Sequence, residues 1–443
     1  MGARQYDEEV VVGLSERFGT AESRALTEWC FQRLASGLTI PEPEDLSDLT
    51  VIIPSYERGE FLLRQLVYWA GTKARVVLMD GSAAPLPEEV VSLIEERPEF
   101  VYVHRPGGIA KRLNEACGFI TTPFTVLLAD DEFHLRRGLG RAIEFLRSDQ
   151  EAIACTGQSL RFVPSPDRKF LAFSEGYSFQ RHSTRYADSW QDNSIRDANP
   201  RQRLVKAMTP YTCMTCYSVT RTEAWVKSWG SLRDWSLPVV IELQQAFALW
   251  CLGELATIDE VQFLVSGENV SVNELLDPDL AVRAGLSAAH QVDRWWNSGD
   301  YDSEPDEFVD LLADIAVEAG QVNVADARSL ISDGVVAYIR QQPDWSDRLD
   351  PKWFSGVGRT VLSAVDPQVR ASGHSTFSRH LRVRVRDWIY RVQWRWRRGR
   401  YYGHEPIELL ADSGVIPRSG VSAELLAELR AIECIVREFS LVA

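Results

Sequence analysis

Four short apolar runs, residues 51–53, 75–79, 100–103 and 124–128, recur about every 25 residues in the first third of this 443-residue chain. Each has strand length and is rich in Val, Ile, Leu or Phe. The stretches between them carry helical spacing instead. Leu62, Leu66 and Trp69 fall on one side of a helix that Gly71 stops, Pro87 opens a second helix with Glu88 and Glu89 in its first turn, and residues 109–120 form a third. Strand and helix alternating at this interval predict right-handed βαβ units and a parallel sheet. The consequence reaches further than topology, because every strand of a parallel sheet opens its carboxyl end on the same edge. On that edge lie Ser55-Tyr56-Glu57-Arg58, then Asp80, then His104-Arg105, then Asp130-Asp131-Glu132. Open sheets of this kind bind ligands in the crevice there.

The acid triplet is the most demanding of these groups. It leaves a strand whose residues 124–128 read as buried on both faces, and three like charges at such a place repel unless a cation or strong donors sit among them. Oxygen ligands favour Mg²⁺ or Mn²⁺, and a divalent ion there would hold a phosphorylated ligand. The competing reading is a solvated acidic turn that caps the following helix at its positive end.

Taken in order, IIPSYER after the first strand, LMDGS after the second, KRLNEA on the third helix and TPFTVLLADDEF on the fourth strand resemble a glycosyltransferase of the GT-A fold. The resemblance is to the family 2 type, with its PTYNR-like start and ADDDF-like centre. It covers residues 49–160 well and 205–270 loosely. It implies a mostly parallel wound α/β core that takes a nucleotide-diphosphate sugar. The nucleobase and ribose would meet Pro54, Tyr56, Glu57, Arg58 and Asp80, and the diphosphate would meet Lys111 and Arg112. The triplet would supply the metal motif, with Asp130 and Asp131 at the donor and Asp130 and Glu132 on Mn²⁺ or Mg²⁺; Glu132 stands where the family more often has Asp. By the same resemblance, the segment RDWSLPVVIELQQAFALWCLG puts an acid at the head of a helix. Glu242 is the first expectation for the base that takes the acceptor's proton with inversion at the sugar, and Asp234 the second. Asx-turn formation at Asp80, a solvated face for Lys111 and Arg112, and a dipole contact for Glu242 are the structural alternatives.

The expected function is therefore a metal-dependent, hexosyltransferase-like enzyme of glycan or polysaccharide biosynthesis. A non-catalytic scaffold that binds nucleotide sugar or glycan is one alternative. A sugar nucleotidyltransferase is the other, although it would want a Gly-rich basic loop after the first strand, where SYERGEF has one Gly and two acids.

Outside the core, residues 1–48 read as a helical extension and linker, 49–270 as the catalytic domain, and 271–443 as a helical domain. With 45% hydrophobic and 25% charged residues the chain has material for a sizeable core, and a net charge of −15 argues against a nucleic-acid partner. The acidic, weakly apolar N-terminal residues do not resemble a signal peptide, Tyr6 spoils a myristoylation motif, and seven scattered cysteines suit reduced thiols, so a cytoplasmic location is expected. Cys213 and Cys216 form a lone CxxC without zinc-finger partners. Residues 164–202 read as a polar acceptor loop or surface excursion, 211–219 as a strand, and 423–439 as an amphipathic helix. Residues 374–402 interleave nine Arg with Trp and Tyr. Three uses compete for them: contact with an anionic membrane surface near a lipid-linked acceptor, a groove for an anionic glycan or nucleotide, or pairing with acids elsewhere in the chain.

Overall fold

The computed structural model describes residues 21–36, 40, 45–165, 169–175, 192–209, 211–268, 288–340, 405–410, 412, 415–417 and 420–442. Its centre is a nine-stranded sheet. The first half comprises β1 (Leu49–Ser55), β2 (Arg75–Asp80), β3 (Phe100–His104) and β4 (Phe124–Leu127), joined through helices α2 (Gly59–Trp69), α3 (Glu88–Glu95) and α4 (Ile109–Ala116). These four strands run parallel in the order β3-β2-β1-β4, as the sequence pattern requires.

Alternation along the strands builds a core on each face. Val51, Ile53, Val76 and Leu78 join Leu62, Leu66, Val90 and Ile94 of α2 and α3. Ile52, Val77 and Met79 point the other way, to Ala110 and Leu113 of α4 and to Trp225 and Trp229 of α7 (Thr222–Trp229). Each fully buried Val, Leu or Ile contributes about 1.5–3 kcal/mol, so an odd-for-even slip of either strand would cost many such terms at once. The register is therefore fixed, and it aligns Ser55 with Asp80 and Asp80 with His104 in one row at the carboxyl edge.

The second half is mixed. α5 (Arg136–Ser148) follows the two-residue β5 (Phe133–His134) and leads to the 13-residue β6 (Ala152–Pro164), which hairpins with β7 (Leu171–Glu175). Helix α6 (Pro200–Ala207), a 3₁₀ turn (Cys213–Tyr217), β8 (Val219–Arg221), α7, α8 (Pro238–Leu252) and β9 (Glu254–Ser266) complete the unit. β8 lies antiparallel between β4 and β6, while β6 and β9 run parallel. Helices α9 (Ala288–Asn297), α10 (Glu304–Glu318) and α11 (Val324–Arg340) pack beside α8 and α6, with Trp235, Trp295, Phe247 and Phe308 in edge-to-face contacts. At the opposite side, α1 (Ala21–Ala35) and α12 (Ala423–Val442) cover α2, joined by Trp29, Phe61 and Phe439 and by the Arg33–Glu438 ion pair.

Several boundaries differ from the sequence reading. Residues 211–219 are not a continuous strand: Thr215 Oγ1 bonds Gln245 Oε1 at 2.9 Å and Ser218 Oγ bonds Met214 O at 2.7 Å, and these local bonds accompany a 3₁₀ turn in place of a ladder. The helix expected over 109–120 ends at Ala116 in a further 3₁₀ turn. The strand expected at 152–156 continues to Pro164, which shortens the polar loop. Residues 176–191 of that loop and the basic segment 374–402 lie outside the described residues. Among the described residues, no helix is long and apolar enough to cross a membrane.

Candidate active site

The strand order turns at β1, with β2 and β3 on one side and β4 on the other, and Ser55, Asp80 and Asp130 stand at that switch point. Ser55 closes β1, and its Oγ donates to Asp130 Oδ2 at 2.7 Å. Pro54 is part of β1 and pairs in register with Met79, so it shapes the edge from within the sheet. Tyr56 stands out from the loop with half its surface exposed, its ring 5.9 Å from the Arg112 guanidinium carbon.

Glu57 is held at a φ of +54°, in the left-handed region that non-glycine residues seldom adopt. Two bonds secure it there: its N–H donates to Ser82 Oγ at 2.9 Å and its carboxylate accepts from Ala83 N at 2.7 Å. Glu57 thus ties the β1 loop to the β2 loop. Asp80 spends both oxygens inside the protein, Oδ1 on Ser82 N at 2.9 Å and Oδ2 on the Tyr102 hydroxyl at 2.6 Å. The first is the Asx turn that LMDGS suggested; the Tyr102 bond had no signal in the sequence beyond an aromatic in a strand.

Lys111 and Arg112 separate sharply. Lys111 is exposed on α4. Arg112 is only 4% exposed and donates from Nη1 to Ser55 O and, at 3.2 Å, to Met79 O. Its guanidinium therefore clamps the carboxyl ends of β1 and β2 together and forms the floor under Tyr56. Asp234 reaches the same region from another direction: a Cβ built on Gly108, the residue before α4, would fall 2.8 Å from Asp234 Oδ1.

In the acid loop, α2 holds all three carbonyls. Gln65 Nε2 donates to Asp130 O at 2.8 Å and Glu132 O at 2.7 Å, and Arg64 Nη2 donates to Asp131 O at 2.7 Å. Arg64 is itself buried among Phe61, Phe133 and Phe439 and pairs with Glu268 at 2.7 Å. A buried Arg-Gln pair in the apolar helix LLRQLVYW was the available sign that this face does more than pack.

The three carboxylates face different surroundings. Asp130, 1% exposed, takes Arg58 on both oxygens, and Arg58 also reaches Asp131 at 3.2 Å. Burial pushes the Asp130 carboxyl up, while Arg58 and Ser55 hold it back. Glu132 turns to the Tyr217 hydroxyl and the Ser266 backbone; burial, with Asp131 and Asp130 nearby, raises it to about 8, and its Oε2 has no hydrogen-bond partner.

The carboxylate chemistry of the loop suits a hard divalent ion, but the arrangement does not present an open ligand set. Asp130 and Asp131 are closed by Arg58, and Glu132, turned toward Tyr217 and Ser266, leaves only Oε2 without a partner. Among the described residues, no group of three or more His, Cys, Asp or Glu side chains is placed to hold a metal ion.

Glu242 lies in the second turn of α8, because the helix begins at Pro238 rather than beside Glu242. A simple first-turn dipole contact therefore does not account for it. Its Oε1 accepts from the Tyr211 hydroxyl at 2.7 Å, and burial raises its carboxyl above the ordinary range while that bond holds it down.

Residues 50–217 match the family model described as glycosyl transferase family 2. Comparison with curated proteins returns no match. Among solved structures, the fold is similar to S. aureus TarS. TarS 1–349 in complex with UDP-GlcNAc is 12% identical with a TM-score of 0.37, over 68% of this chain and 83% of that one. A TarS structure of which this chain covers 50% is 13% identical with a TM-score of 0.33, over 68% of this chain. The similarity to glycosyl transferase family 2 thus covers residues 50–217, where the motifs SYER, DGS and ADDE stand at strand ends of a GT-A-like core.

Proposed function

We propose that the chain transfers a sugar from a nucleotide-diphosphate donor to an acceptor hydroxyl, with inversion, in glycan assembly. The observation that carries this reading is the convergence of Ser55, Asp80, Arg112 and Asp130 at the switch point between β1 and β4. Tyr56 offers a flat apolar face for a base, and exposed Lys111 near the amino end of α4 offers positive charge for the diphosphate. Glu242 takes the acceptor proton as the acceptor oxygen bonds the anomeric carbon and the bond to the diphosphate breaks. A carboxyl raised by burial is better matched to that task near neutral pH than an exposed one. The acceptor in this reading is a glycan or a lipid-linked acceptor. No step is assigned to Mn²⁺ or Mg²⁺, because Arg58 already closes Asp130 and Asp131.

That closure favours one second reading, a nucleotide-sugar-binding scaffold without turnover. Melting temperature measured with UDP-, GDP- and dTDP-sugars, each with and without Mn²⁺, tests both the donor and the cation. A shift with one nucleotide, followed by release of its diphosphate in the presence of acceptor, supports transfer. A shift with neither transfer nor hydrolysis supports the scaffold, and no shift at all refutes the donor site.

A further inference from the structure

Glu242 projects from an otherwise mostly apolar helix, so its orientation depends on a neighbour. That neighbour is Tyr211, whose hydroxyl donates to Glu242 Oε1 at 2.7 Å. Tyr211 precedes the 3₁₀ turn and packs edge-on against Tyr338 of α11, with centroids 5.4 Å apart and planes at 70°. Tyr338 is 3% exposed. One turn earlier on α11, a Cβ built on Gly334 would fall 2.7 Å from both Leu204 of α6 and Phe247 of α8. The backbone of α11 therefore approaches these two helices as closely as a glycine allows, and Tyr338 inherits a fixed position from that approach.

We propose that Tyr211, braced by Tyr338 of α11, positions Glu242 as proton acceptor, so that the helical segment 288–340 completes the transfer site. The proposal rests on Glu242 being the base. Loss of the Tyr211 hydroxyl removes a donor that favours the carboxylate, and loss of the Tyr338 ring frees Tyr211 to leave it. Among the described residues, the titratable groups facing Glu242 are Tyr211 and Cys216, before β8, and Tyr338, all held neutral by burial. Several charged residues of the neighbouring helices are engaged elsewhere. Arg203 of α6 binds Trp250 O, Lys227 of α7 pairs with Glu223, Arg294 of α9 pairs with Asp300, and Glu304 and Glu307 of α10 bind Ser236 and Arg233. The base is thus governed mainly by burial and one hydrogen bond.

The test uses the full chain and compares Glu242→Gln, Tyr211→Phe, Tyr338→Phe and Tyr338→Ala. The reading is nucleoside diphosphate release, over pH 5–9, from whichever UDP-, GDP- or dTDP-sugar shifts the melting temperature. Tyr211→Phe keeps the ring on which Tyr338 packs, so the fold survives. Its acidic limb in kcat should move up by about one pH unit and its kcat at pH 6 should fall about tenfold, with the donor KM unchanged. Tyr338→Ala should shift the profile the same way, and Tyr338→Phe should restore it. An inactive Glu242→Gln beside a Tyr211→Phe enzyme with wild-type profile overturns the positioning role alone. Full turnover in Glu242→Gln overturns the base and the proposal together.

Discussion

Gly81→Ala is the smallest change that should disable the donor edge. A Cβ at this position would sit 2.5 Å from Arg112 Cζ, roughly an ångström inside ordinary contact. The guanidinium has to withdraw, and in doing so it gives up Met79 O, at 3.2 Å, and Ser55 O. Hydrogen bonds to a charged group are worth about 1.5–3 kcal/mol each, which sets a ceiling of about 3–6 kcal/mol. Two features lower it. Ser55 O keeps its bond from Gly81 N at 2.8 Å, so that carbonyl is not orphaned, and the guanidinium can swing past Tyr56 toward water. A cost of about 2–3 kcal/mol remains.

With unfolding entropy near 2.1 cal/mol/K per residue, a chain of this length loses roughly 1 °C per kcal/mol, so melting should fall by about 2–3 °C. Nucleoside diphosphate affinity should fall about tenfold as Tyr56 loses its support. The decisive comparison is a double-mutant cycle. Arg112→Ala removes the same two bonds, so adding Gly81→Ala to it should cost almost nothing. If the two losses simply add, the collision with Arg112 is not what makes glycine necessary and the reasoning fails.

Glu428 of α12 accepts from Arg136 N at 2.5 Å, capping α5, and meets the Tyr68 hydroxyl at 3.0 Å; burial raises it from 4.5 to about 7. A raised carboxyl gives stability that is complete below the unfolded value and is lost as pH climbs through the folded one. Glu428→Gln should therefore gain about 2–3 kcal/mol on the wild type between pH 5 and pH 8, roughly 3 °C in melting temperature, and parallel curves for the two proteins would contradict this. Asp130→Ala with Glu132→Ala should lower transfer about a hundredfold or more while the protein still melts cooperatively, since Arg58, partly exposed already, regains water; full activity would remove the acid loop from the site. Phe439→Ala should cost about 3–5 kcal/mol, visible in melting, because Phe439 fills the space between Trp29, Phe61 and Arg64.

The parallel half of the sheet was legible because two physical periods coincide in it. Val51–Ile52–Ile53 and Val76–Val77–Leu78 satisfy two buried faces, and the helices between them show one apolar stripe each. Strand ends then followed from topology, which is why Ser55, Asp80 and Asp130 were found together. Partnerships were not legible. Nothing in PSYER says that Arg58 turns to Asp130 and Asp131, and KRLNEA does not say that Lys111 stays out while Arg112 goes under the sheet edge. Those outcomes depend on which side chain faces the crevice once α4 is docked. The strand expected at 211–219 failed for a related reason: alternating polar and apolar residues fit a ladder, but Thr215 finds Gln245 thirty residues away, and only the folded chain reveals that.

The acid loop is braced by Arg64, and one wall around Arg64 is Phe439, more than 300 residues downstream of the loop. During synthesis the βαβ units emerge first and can pair early, yet this wall leaves the ribosome some 300 residues later. Until then Phe61 and the flank of α2 remain uncovered. The interval is a window in which a chaperone would find an apolar surface to hold, and a chain cut after residue 270 would never close it. Closure at such sequence separation also slows folding, since a long loop must be ordered before the contact repays it. Completing the donor edge is in this sense later than pairing its strands, and the arrival of α12 decides when it occurs.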